Sequence, residues 1–66
     1  MRDLQKLRQE LKDARQEVRN LVVIGMRPHL LPAEAELVRN LERSARAEVK
    51  LRRKYLDWVL SQQAQM

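Results

Sequence analysis

The chain has 66 residues, with 14 Lys and Arg against 9 Asp and Glu, a formal net charge of +5, and no cysteine. A domain of this size removes only about 60% of its unfolded surface on folding, and without disulfides or thiolate metal sites the missing stability must come from oligomerisation or a partner chain. With no Phe, one Gly, two Pro and 35% charged residues, the composition suits long helices, disfavours a sheet sandwich or a Gly-rich phosphate loop, and makes an enzyme a poor candidate.

The first residues, Met1-Arg2-Asp3-Leu4-Gln5-Lys6, are charged and lack the apolar stretch of a signal peptide. The longest uncharged apolar run, Leu21 to Met26, is far too short to span a bilayer. A cytoplasmic protein is therefore expected. Leu4, Leu7, Leu11, Ala14, Val18 and Leu21 then recur at spacings of 3, 4, 3, 4 and 3, the a/d pattern of a coiled-coil seam and a candidate self-association surface. This predicts a first helix over about residues 2–25. Gly25, the only glycine, is expected as its left-handed C-cap, with Pro28 reinforcing the stop.

Within this helix like charges meet one turn apart at Arg2/Lys6, Arg8/Lys12, Asp13/Glu17 and Arg15/Arg19, so the pattern contributes little to an isolated helix. Two readings stand. With Leu4 at position a, Asp3 and Glu10 occupy g and Arg8 and Arg15 occupy e, which pair g to e′ in a parallel homodimer. Alternatively the helix packs on the second helix and these charges are solvated.

The break at residues 26–31 is more apolar than a solvent-exposed tip requires. Val23, Ile24, Met26, Leu30 and Leu31 surround Pro28 and His29, so the tip is either tucked against the chain or a docking knob for a partner centred on the adaptable Met26.

Pro32 suits the first turn of a second helix, predicted over about residues 32–63, where Glu34 and Glu36 complement the positive end of the dipole and Leu31 is a weak N-cap. The Gln-rich stretch from Ser61 to Met66 reads as a fraying end. At 100° per residue, Leu37, Val38, Leu41, Ala45, Tyr55, Leu56 and Val59 cluster on one face, widened by Val49, Leu51, Trp58 and Leu60. Glu48 and Arg52 fall inside that face one turn apart, either as an edge ion pair or as a polar layer that sets register. The opposite side carries a ridge of Arg39, Arg43, Arg46, Lys50, Arg53 and Lys54.

Folding the chain back at the break predicts an all-α, two-helix antiparallel hairpin with coiled-coil-like packing, a single domain over 1–66. Pairing Ile24 with Pro32 places Leu4 beside Arg52 and leaves everything after about Arg53 overhanging. Tyr55, Leu56, Trp58, Val59 and Leu60 then need cover, by a second copy in a dimeric four-helix bundle or by another protein. The expected function is a non-enzymatic interaction module acting as an adaptor, chaperone or assembly subunit.

The alternative is nucleic-acid binding by the basic ridge, which would be salt-dependent and poor in sequence information, since no aromatic is interleaved with it. A membrane-surface role through Trp58 and Leu60 is weaker still. His29 is the lone histidine, Ser44 and Ser61 lie in helical, charged contexts remote from it, and Glu34/Glu36 have a dipole role; no metal, cofactor or small-molecule substrate is expected.

Overall fold

A computed structural model describes residues 4–64 of the chain. It is an antiparallel pair of helices, α1 over Leu4–Gly25 and α2 over Pro32–Ala64, that pack on each other in a body of 53 × 15 × 13 Å. Asp3, Arg2 of the Arg2/Lys6 pair, and the last two residues, Gln65 and Met66, lie outside the described residues. Ser61 to Ala64, expected as a fraying end, continue the helix.

α1 stops without a left-handed residue. Gly25 has no positive φ, which corrects the expected C-cap. The last turn instead tightens: the Met26 amide donates to the carbonyls of Val22 and Val23, and the Arg27 amide to that of Ile24. Arg27 precedes Pro28, whose ring disfavours the α conformation there and ends the helix. What Gly25 offers is proximity, because a Cβ built on it would meet Val38 Cγ1 at 3.4 Å.

α2 begins as Pro32 and Glu34 predict. Leu31 is the N-cap, and its amide donates to the Glu34 carboxylate at 3.0 Å. This is one half of a capping box, the half supplied by the third helical residue. The Ala35 amide donates to the Leu31 carbonyl at 2.9 Å and starts the helical ladder.

The seam of α1 lies against α2. Leu7, Leu11 and Ala14 are buried, and Leu4, Val18 and Leu21 are half-buried. The matching row on α2 is Ala35, Val38, Glu42, Ala45, Val49, Arg52, Leu56 and Val59, with spacings alternating between 3 and 4, which is again an a/d pattern. Leu7, Leu11, Leu56 and Val59 form the central cluster, with Leu4, Val49 and Leu60 packed on it.

The register differs from the sequence expectation by one heptad. Leu4 packs at the level of Val59 and Leu60 rather than beside Arg52, because residues 26–31 run alongside the first turns of α2 and bring Gly25 level with Val38. The long overhang after Arg53 therefore does not exist. Leu56 and Val59 are core residues, and Leu60 is half-buried. Among the described residues, no helix is long and apolar enough to cross a membrane.

Candidate interaction surfaces

The broad apolar face of α2 splits in two. One partner helix can cover only a narrow a/d stripe, so Val38, Ala45, Leu56 and Val59 turn inward while their neighbours stay in water. Leu37, Leu41, Leu51, Tyr55 and Trp58 are exposed by 58%, 47%, 64%, 39% and 58%. With Ser44 and Glu48 between them they form a second row at spacings of 4, 3, 4, 3, 4 and 3, one residue before the seam throughout. The rings of Tyr55 and Trp58 stack with centroids 6.2 Å apart, giving the row a flat aromatic end.

Chain reversal sorts the charges. In an antiparallel pair, residues that follow the seam on each helix come to one side of the hairpin and residues that precede it come to the other. Arg8, Lys12, Arg15 and Arg19 each follow a seam residue of α1, and Arg39, Arg43, Arg46, Lys50 and Arg53 each follow one of α2; all nine are exposed. They share one side with two acidic residues, Glu36 and Asp57, which follow Ala35 and Leu56. The expected ridge is thus half of a two-helix basic surface, with Lys54 set apart on the outer face of α2.

The other side carries Glu10, Asp13 and Glu17 from α1 beside Glu48 and the apolar row of α2. Two surface grooves bear this out: Glu10, Asp13, Glu17, Glu48 and Arg52 line one, and Leu7, Glu10, Leu51, Arg52 and Tyr55 share the next. Between them Arg52 reaches across the seam. Its guanidinium donates to Glu10 at 3.0 Å and forms an ion pair with Glu48 at 2.9 Å. The Glu48/Arg52 pair is accordingly both an i,i+4 pair and part of an interhelical layer. Glu10, considered above for pairing with a second copy, is engaged within its own chain. Arg8 and Arg15 have no acidic partner among the described residues.

On the basic side a groove of about 570 Å³ runs between the helices, lined by Val18, Val22, Val23 and Val49 with Arg15, Arg19 and Arg46. Arg46 also pairs with Glu42, the second charge on the α2 seam. Val22 is shared with a further groove that continues to Gly25, Met26 and Val38. At the tip, Val23, Met26 and Leu31 are exposed by 63%, 76% and 64%, whereas Ile24 and Leu30 are half-buried.

His29 is exposed in the turn and Ser44 and Ser61 lie on exposed positions of α2, apart from it. Glu34 is occupied in the cap. Among the described residues no group of three or more His, Cys, Asp or Glu could hold a metal ion. Comparison with protein-family models, curated proteins and solved structures finds no match for the chain.

Proposed function

We propose that the chain is a non-enzymatic protein-interaction module that self-associates through the exposed row of α2, with a four-helix homodimer as the assembled form. The observation that carries this reading is the row itself. Leu37, Leu41, Leu51, Tyr55 and Trp58 repeat the a/d spacing on a face that α1 does not cover, and a second helix with the same spacing is its geometric complement. The hairpin has reason to use it, since among the described residues no side chain is fully buried.

Magnitudes set the strength. Burying the exposed part of each such side chain contributes on the order of 1 kcal/mol, so two rows together contribute about 10 kcal/mol. Association costs about 4–15 kcal/mol. The dimer is consequently concentration-dependent rather than obligate, and a partner with a better-fitting helix could displace the second copy, which is the behaviour of an adaptor or assembly subunit. The test is the solution mass of the wild type against a Leu51→Ser/Trp58→Ser variant.

A second reading, nucleic-acid binding, is favoured by one observation: the α2 ridge is joined on the same side by Arg8, Lys12, Arg15 and Arg19. Phosphate contacts of this kind give affinity that falls steeply with salt. Reversing Arg43, Arg46 and Lys50 to Glu abolishes such a complex if the basic side makes it, and leaves self-association through the opposite side intact.

A further inference from the structure

The basic side is not uniformly polar. At its centre the groove between α1 and α2 has four valines in it, Val23 being 63% exposed and Val18, Val22 and Val49 half-buried. A phosphate backbone has no use for such a floor, whereas the apolar stripe of an amphipathic helix does. Three arginines line the same groove, and neither Arg15 nor Arg19 has an acidic partner among the described residues.

We propose that this groove receives an amphipathic helix of a partner protein, its apolar stripe seated on Val18, Val22, Val23 and Val49 and its flanking carboxylates facing Arg15, Arg19 and Arg46. The inference rests on the reading of the chain as a protein-interaction module but uses the flank of α2 opposite the self-association row. From Arg15 to Met26 the furrow follows about three turns of α1, or roughly 16 Å, a length that a helix of three to four turns fills. A second copy is the competing occupant, since Asp13 and Glu17 lie beside its exposed row; a wild-type dimer that dissociates in the Arg15→Glu/Arg19→Glu variant gives the groove to that copy and overturns the proposal.

The test uses a fluorescein-labelled synthetic helix of about three heptads, with Leu at a and d and Glu at e and g, and a control with Lys replacing every Glu. Fluorescence anisotropy is expected to show the Glu peptide binding at least about ten-fold more tightly than the Lys peptide. In an Arg15→Glu/Arg19→Glu variant the preference reverses. Val23→Ser, an exposed change that leaves the hairpin folded, weakens the Glu peptide several-fold.

No binding of the Glu peptide, or a preference that survives charge reversal, overturns the proposal. So does a Val23→Ser protein that binds the Glu peptide as well as wild type, or a mixed-sequence RNA oligonucleotide that binds more tightly and is also indifferent to Val23; either result makes the basic side a purely electrostatic surface. The Leu51→Ser/Trp58→Ser variant separates the two surfaces. Binding that persists in it places the peptide in the groove, and binding that is lost places it on the row and refutes the assignment. A monomeric wild type that still binds the peptide overturns self-association alone.

Discussion

Glu10 of α1 and Arg52 of α2 are joined across the hairpin at 3.0 Å, and this contact marks the register. A slip of one heptad would leave the a and d residues of α1 on the seam, but it would part these two charges and withdraw the α1 leucines from Leu56 and Val59. Both side chains are more than one-third exposed, at 39% and 38%, so the pair is worth little energetically. A double-mutant cycle with Glu10→Gln and Arg52→Gln should give a coupling of about 0.2–1 kcal/mol that shrinks as salt is raised. Arg52→Leu, which fills the seam between Val49 and Leu56, should leave the urea midpoint equal or higher while loosening the register. A coupling above about 2 kcal/mol would contradict the exposed placement.

Gly25 offers a test of the helix end. Its φ is not positive and Val38 stands at ordinary contact distance from a built Cβ. Gly25→Ala should therefore stabilise the chain by roughly 0.5–1 kcal/mol in urea unfolding at fixed protein concentration, by removing freedom from the unfolded state. A left-handed cap would respond with a loss instead.

At the other junction the capping box is half built. The Leu31 amide is bound by Glu34, but Leu31 has no side-chain acceptor to return. Leu31→Ser should gain about 1 kcal/mol, and Glu34→Ala should lose about 0.5–1 kcal/mol. Thermal unfolding followed by circular dichroism reads both. If Leu31→Ser is neutral or worse, the start of α2 lies elsewhere.

Core and row should separate cleanly on truncation. Leu7→Ala and Leu56→Ala remove buried methyl groups from the central cluster and are expected to cost about 2–4 kcal/mol each, enough to unfold much of so small a chain. Leu41→Ala, at a side chain 47% exposed, should keep its helical content and shift only the concentration dependence of the mass.

The helices and the α1 seam were readable because Pro28 and Pro32 punctuate an otherwise unbroken helical pattern and the a/d row of α1 is apolar throughout. The α2 seam was hidden: Glu42 and Arg52 occupy two of its positions, and the apolar row beginning at Leu37 lies one residue away, merging both stripes into one broad arc. Register was not readable at all, since a heptad slip preserves the pattern that would report it. Half of the basic side was visible as the α2 ridge. The rest had a signal that only the antiparallel pairing makes legible, for Arg8, Lys12, Arg15 and Arg19 directly follow Leu7, Leu11, Ala14 and Val18.

The central claim is that the α2 row covers a second copy, and the most direct measurement is mass by light scattering across a dilution series at moderate salt. Wild type should pass from dimer to monomer on dilution, whereas Leu51→Ser/Trp58→Ser should be monomeric at every concentration with unchanged helicity. A wild type that stays monomeric and fully helical at the highest concentration, or a variant that dimerises like wild type, would contradict the account.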